Sequence, residues 1–377
     1  MRLLYCIRGL CKVGGMERIL IDKMNYLVQN FNYEVYVVTT DQEKQEYFSP
    51  LDKRIKHIDL EINYLRDIEK NFFLRIPIYF QKQKIHKKKL GEIIDEINPD
   101  ILISLGDEDR NFSYKFKNKK LKVIREIHFN KNYMLQKKSK NFLYTLKNYY
   151  MDLKVRLSVD KYDEFIVLTE EDKVSWNNKK IKVIPNFINN ISKELSDCNN
   201  KKIISVGRLE KEKGYDILID VWKVVFEKYP DWTLEIYGEG SERENLQNKI
   251  NKLGLEKSFL LKGAVKNIQE KYLDSSIYVM SSRFEGFGMV LIEAMACGVP
   301  VVSFDAPCGP KDIVTNNEDG FLVEFGNVKK MAEKIEELII DEEKRKKFGK
   351  NANKNVEKFS ADTVMKKWKE LFENLLK

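Results

Sequence analysis

Cysteine and histidine are both scarce in this chain. Five cysteines (Cys6, Cys11, Cys198, Cys297 and Cys308) are scattered over 377 residues with no CxxC pair, and only three histidines accompany them. That spacing argues against a disulfide framework and against a zinc site. Long apolar runs are missing as well, and none approaches the roughly 18 residues needed to span a bilayer. The opening Met1-Arg2-Leu3-Leu4-Tyr5-Cys6-Ile7-Arg8 meets charge too soon for a secretory leader, so the sequence reads as a cytoplasmic protein. A GxGxxG dinucleotide fingerprint is absent, no DxD pattern calls for a metal, and no repeat recurs at a solenoid period.

What is present points to a folded, two-domain chain. Hydrophobic residues at 43% and aromatics at 11% exclude a disordered polymer, and at ~150 residues per domain the length suggests two domains of similar size. The net charge of +9 is unevenly distributed. Residues 1–190 hold 36 Lys and Arg against 26 Asp and Glu, whereas residues 191–377 hold 31 against 32. The basic excess of the first half implies an anionic partner, nucleic acid or an acidic membrane surface. No DNA- or RNA-reading motif accompanies it, so nucleic acid is not an expected partner.

Strand, turn and helix patterns alternate along the chain. Leu3–Ile7, a glycine-containing turn from Gly9 to Gly15, a helical pattern through Leu27 and the run Glu34–Thr39 form one βαβ unit. Ile101–Leu105, Lys122–Ile127 and Glu164–Thr169 are further candidates for parallel strands covered on both faces. The polar stretch 188–201 reads as a linker, after which Lys202–Val206, Thr233–Tyr237, Ser258–Leu261, Ile277–Met280 and Val299–Phe304 form a second series. Helices are predicted near 214–228, 241–253, 266–273, 289–296 and 327–339, with two more over 341–377. The fold class is α/β: a Rossmann-like domain over 1–187, a second over 202–358, and a terminal helix over 359–377 expected to return to the first domain. Ligands are expected in a cleft between the domains, beyond the carboxyl ends of the strands.

The segment Ser281 to Val302 carries the strongest chemical signal. A strand ends near Met280, a loop with Gly286 and Gly288 follows, and a helix opens at Met289, so several unpaired N–H groups form a nest for an anion. Glu285 and Glu293 lie eight residues apart on either side of that nest, placed to hold hydroxyl groups. The plainer alternative makes Glu285 a favourable first-turn acid and Glu293 a surface residue. The apolar surroundings of Glu293 instead suggest a buried helix whose carboxylate needs a partner. A second signal is Val206-Gly207-Arg208-Leu209 with Lys213-Gly214, where a strand delivers Arg208 and the loop returns Lys213. Together these cations can neutralise a diphosphate, although a solvated basic loop would read the same way.

These residues resemble the family-four glycosyltransferases of the GT-B fold, the retaining group-1 enzymes that transfer a sugar from a nucleotide-sugar. The likeness includes Gly14-Gly15-Met16-Glu17-Arg18, Val183-Ile184-Pro185-Asn186, Tyr237-Gly238-Glu239-Gly240 and the Glu-x7-Glu block at 285–293. The resemblance implies that Arg208 and Lys213 bind the diphosphate and that the amides of Gly286, Phe287, Gly288, Met289 and Val290 cradle it. It also implies that Glu285 meets the sugar hydroxyls, Glu293 holds the ribose, and Val265 lies near the base. Gly14 and Gly15 would let the first domain's backbone approach the diphosphate, and His128 would stand near sugar and acceptor. Glu126 and the loop Asp107-Glu108-Asp109 are weaker acceptor candidates, while His57 and His86 are read as structural.

The donor is expected to be a UDP-sugar, the acceptor a lipid-linked bacterial surface glycan, and neither cofactor nor metal is required. A nucleotide-sugar epimerase is the alternative. Residues 66–90 combine Arg66, Lys70, Arg75, Lys82, Lys84 and Lys87–Lys89 with Phe72, Phe73, Tyr79 and Phe80. A similar mixture over 131–161 includes Lys137, Lys138, Lys140, Tyr144, Tyr149, Tyr150, Lys154 and Arg156. Such segments are expected to make peripheral contact with an anionic membrane, against the alternative of a solvated charged face.

Overall fold

The computed structural model describes residues 1–11, 14–67, 72–106, 108–131, 153 and 155–377, with the side chains of residues 72 and 73 outside the description. The chain divides into two units. Unit 1 comprises 1–168, 172–184 and 364–377, and unit 2 comprises 169–171 and 185–363.

Unit 1 is built on a seven-stranded sheet: β1 (Arg2–Cys6), β2 (Glu34–Thr39), β3 (Lys56–Asp59), β4 (Ile101–Ser104), β5 (Lys122–Glu126), β6 (Glu164–Val167) and β7 (Ile181–Val183). The order is β3-β2-β1-β4-β5-β6-β7, with every pairing parallel. The central strands are buried on both faces because helices cover them, which is why the sequence there runs apolar without alternation. One side of the sheet packs a core containing Leu4, Val38, Leu102, Val123, Phe165 and Trp176.

Unit 2 repeats the design with β8 (Lys202–Val206), β9 (Thr233–Tyr237), β10 (Phe259–Gly263), β11 (Ile277–Met280), β12 (Val301–Phe304) and β13 (Gly320–Val323). Its order is β10-β9-β8-β11-β12-β13, again all parallel. Met331, Ala332, Ile335 and Leu338 form the buried stripe of the helix Val328–Ile340, which packs with the helix Tyr215–Lys228 over the core. Trp222 is fully buried there, its indole N–H donating to the Ser258 hydroxyl at 3.1 Å. Burying such a side chain is worth roughly 2–3 kcal/mol, provided its N–H finds a partner.

The polar stretch 188–201 lies within unit 2. Buried Cys198 gives its carbonyl to the Arg345 guanidinium at 2.8 Å, and Ser196 N–H donates to the Cys297 carbonyl at 2.8 Å. Three strands absent from the sequence reading, β3, β7 and β13, are sheet edges. Polar residues interrupt β3 and β7, so neither carries the continuous apolar run that marks a central strand, whereas β13 is apolar and largely buried but only four residues long. No helix among the described residues is long and apolar enough to cross a membrane.

Candidate functional site

In unit 2, β8 and β11 are neighbours, with Ile203 paired to Ile277 and Ile204 to Tyr278. The strand order turns at this pair, since β9 and β10 lie on one side and β12 and β13 on the other. Open α/β sheets present a ligand crevice where two adjacent strands send their connections opposite ways.

The loops leaving β8 and β11 are stitched together there. Gly214 has φ +67°, and a Cβ on it would stand 2.0 Å from the Ser281 carbonyl oxygen, so only glycine permits this approach. The Ser281 hydroxyl donates to the Lys213 carbonyl at 2.9 Å, and Arg283 N–H donates to the Glu212 carbonyl at 2.7 Å. The Arg283 guanidinium reaches the Lys211 carbonyl at 2.7 Å and grips both carboxylate oxygens of Asp216 at 2.8 and 2.7 Å. That fork holds the Asp216 carboxyl below its ordinary range.

Between these loops, the ammonium of Lys213 donates to Glu285 Oε1 at 2.7 Å, and the Ser282 hydroxyl donates to the same oxygen at 2.6 Å. The Glu285 side chain is 9% exposed and that of Lys213 18%. A pair this shielded persists only with its geometry fixed by further hydrogen bonds, which Ser282 supplies. Glu285 Oε2 receives no donor among the described residues. Arg208 differs: its side chain is 68% exposed and donates to Glu212 at 2.8 Å.

The helix Met289–Ala296 opens behind Gly288, which has φ +102° and offers no side-chain cap. Phe287 is turned inward against the Phe359 ring, centroids 5.6 Å apart. Residues 286–290 therefore offer a ligand mainly main-chain N–H groups, at the positive end of a helix. The far side of the loop is pressed close by Gly309, where a Cβ would lie 1.8 Å from the Phe287 carbonyl oxygen. Glu285 N–H donates to the Pro307 carbonyl at 3.1 Å. Within the helix, Glu293 accepts from the hydroxyl of buried Tyr272 at 3.3 Å, and burial together with Glu293 pushes that phenol far above its ordinary value. Val265 stands apart, exposed on the loop after the edge strand β10, with β9 between that strand and β8.

Lys213 and Glu285 are thus joined directly, with Arg208 on the same loop as Lys213 and Glu293 on the helix that the Glu285 loop enters. Sequence reasoning missed Ser282, Arg283, Asp216 and Tyr272. Arg283, two residues before Glu285, was the one legible hint, and its carboxylate partner Asp216 stands in the first turn of the helix Tyr215–Lys228.

In unit 1, Gly14 precedes the helix Gly15–Phe31, and a Cβ on it would run 2.1 Å from the Glu17 carboxylate, whereas Gly15 has open space around it. His128 follows β5 and is buried, its Nε2 2.9 Å from Glu126 Oε1. Lys23 pairs with the same oxygen, and its ammonium lies 3.8 Å above the Trp368 ring. Burial raises the Glu126 carboxyl, but Lys23 and His128 outweigh it and hold it down at about 2, so it is ionised. Tyr5 Oη, Glu126 Oε2, His128 Nδ1 and the Asn130 amide are buried with no hydrogen-bond partner among the described residues.

Glu108 is paired with Arg8, and burial raises the Asp109 carboxyl to about 6. Asp107 lies outside the described residues, as do Lys70, Lys154 and the 132–150 part of the second basic segment. His86, against Tyr64 and Phe112, is lowered to about 4 by burial, and His57 bonds to Thr39 and Tyr47. Among the described residues no group of three or more His, Cys, Asp or Glu is arranged to hold a metal ion.

Comparison with known proteins bears on the family and the fold. The family described as glycosyl transferases group 1 matches residues 186–355. An uncharacterized glycosyltransferase of Haemophilus influenzae is 30% identical over 372 residues, covering 97% of this chain and 98% of that one. The amylovoran biosynthesis glycosyltransferase AmsD of Erwinia amylovora is 27% identical over 390 residues, covering 98% and 99%. In structure, a TarM variant of S. aureus, solved with fondaparinux, alpha-GlcNAc-glycerol and UDP, superposes with a TM-score of 0.77 at 19% identity, covering 99% of this chain and 100% of that one. These likenesses do not favour the epimerase alternative. The chain has the two-sheet α/β architecture of the GT-B enzymes, and it belongs to the group 1 glycosyltransferases.

Proposed function

We propose that this glycosyltransferase moves a sugar from a UDP-sugar to a hydroxyl of a bacterial surface glycan carried on a lipid, with retention at the anomeric carbon. The observation that carries the donor half is the Lys213–Glu285–Ser282 cluster at the switch point, beside the uncapped start of the helix Met289–Ala296. An ammonium has three N–H groups, so Lys213 can keep Glu285 and still donate to a phosphate oxygen. Arg208 adds a second cation, and the main chain at 286–290 adds N–H groups and the helix dipole. Charge developing on a departing diphosphate is thereby met without a required metal. Glu285, pinned through one oxygen, holds sugar hydroxyls with the other, while Glu293 holds the ribose and Val265 lies toward the base.

In the transfer, the bond from the anomeric carbon to the diphosphate oxygen breaks and a bond to the acceptor oxygen forms on the same face. The acceptor proton passes to the departing phosphate. Unit 1 is assigned the acceptor, with His128, oriented by Glu126, contacting the sugar and the incoming hydroxyl, and with the main chain at Gly14 and Gly15 serving the diphosphate. The TarM complex containing UDP and the amylovoran role of AmsD support the donor and acceptor classes.

A thermal-shift panel of UDP, ADP, GDP and UDP-sugars tests the donor reading, since a ligand bound to the folded state raises the melting temperature. UDP compounds should give the largest rise, reduced in Glu293→Ala and unaffected by EDTA. A panel in which no nucleoside diphosphate moves the transition overturns the reading. Incubation with donor alone should yield no isomerised sugar.

A further inference from the structure

Unit 1 contains a feature that the transfer chemistry leaves unused. An open pocket of about 400 Å³ is bordered by the helix Phe72–Ile97, residues 110–114, β5 and residues 155–161. Lys84, Lys87, Arg110, Arg125 and Lys161 line it, and among the described residues no carboxylate does. Arg125 is buried and anchored from behind, donating to the Ser104 hydroxyl at 2.7 Å and to the Gly106 carbonyl, with Asp109 3.8 Å away. The Lys161 ammonium lies 4.9 Å from the centre of the Tyr114 ring.

The lysines of the helix Phe72–Ile97 separate by direction. Lys82 pairs with Asp67, Lys88 with Glu92, and Lys89 donates to the Leu60 carbonyl at 2.7 Å. Lys84 and Lys87, which line the pocket, make no ion pair among the described residues. Cations gathered around a concave surface focus a positive potential into it, and Lys84 and Lys87 gain a partner once an anion enters. Tyr79, Phe80 and Tyr114 add aromatic surface to the same wall, and Phe80 is 62% exposed. A phosphate with a ring or chain attached would meet charge and apolar surface together.

We propose that this pocket binds a phosphate-bearing ligand, either a lipid headgroup or a soluble phosphorylated compound. The proposal does not rest on the donor-site reading, and its test needs no turnover. Titration calorimetry with inorganic pyrophosphate should lose one binding equivalent, or at least tenfold in affinity, in Lys84→Ala/Lys87→Ala. Lys84→Arg/Lys87→Arg should retain it, as should a remote control, Lys347→Ala/Lys350→Ala, with melting temperatures confirming that all three fold. Co-sedimentation with phosphatidylglycerol vesicles, set against phosphatidylcholine vesicles, identifies the source. Vesicle binding lost in the alanine double variant assigns a lipid headgroup, and pyrophosphate binding without vesicle binding assigns a soluble ligand. Unchanged stoichiometry and affinity in the alanine double variant for both probes, or no binding of either probe by the wild type, would overturn the proposal.

Discussion

At the switch point of unit 2 the cations each face a carboxylate: Lys213 meets Glu285, Arg208 meets Glu212 and Arg283 meets Asp216. In unit 1 one cation, Lys23, is buried against Glu126 under Trp368, while five others line a pocket that has no acid on its wall among the described residues. Both sheets turn at their first strand, so topology does not distinguish them. Charge does. Unit 2 prepays for its cations with fixed carboxylates, which suits a site that must hold geometry through bond breaking. Unit 1 carries the chain's basic excess, which suits recognition of an anionic ligand.

The comparison can be broken most severely at Lys23. In Lys23→Met, Glu126 becomes a buried carboxylate without its ammonium, and unit 1 should lose about 3–5 kcal/mol. Urea unfolding monitored in both units should show unit 1 melting early with unit 2 unchanged; simultaneous melting would deny that the ion pair belongs to unit 1 alone. Glu285→Gln keeps the shape of its partner network but removes the charge that holds Lys213, and should lower transfer by about 10²–10³-fold with little loss of stability. Activity within a few-fold of wild type would remove Glu285 from the site.

A smaller effect concerns pH. His86 is lowered from 6.5 to about 4, so the unfolded chain binds more protons across that window and stability falls as pH drops through it. Asp109 is raised from 3.8 to about 6, so the folded chain binds more protons there and stability rises as pH drops. The two oppose each other over about pH 4 to 6. Asp109→Asn should expose the histidine contribution as an acid destabilisation on the order of 2 kcal/mol, read from urea midpoints at pH 7 and pH 4.5. An identical pH dependence in wild type and variant would show that the two groups do not offset.

The smallest stability effect is expected for Arg208→Ala. Its exposed pair with Glu212 is worth at most about 0.5 kcal/mol, yet transfer should fall at least tenfold. Loss of stability comparable to the loss of activity would make Arg208 a structural residue.

Much of this organisation was legible in the sequence because the central strands are fully buried and therefore read as unbroken apolar runs. Ile203, Ile204, Ile277, Val279 and Val302 all have no exposed surface. Two edge strands did not read that way: Lys56-His57-Ile58-Asp59 is mostly polar, and Lys182 interrupts the three-residue β7. In the site, Glu285 and Lys213 could be proposed from local spacing, since each stands near a turn. Tyr272 on Glu293 and Arg283 on Asp216 could not, because those pairings span 21 and 67 positions and are created by sheet topology and loop approach, whereas Ser282 on Glu285 spans only 3 and is set by the fold of the loop itself. The linker-like composition of 188–201 concealed a packed segment for the same reason: Cys198 and the Arg345 guanidinium meet across 147 positions.

Hydrogen exchange with and without UDP tests the central claim most directly. The account predicts slowed exchange in residues 207–215 and 281–296, with weakened protection in Glu293→Ala. Protection confined to other segments, or none at saturating UDP, would contradict it.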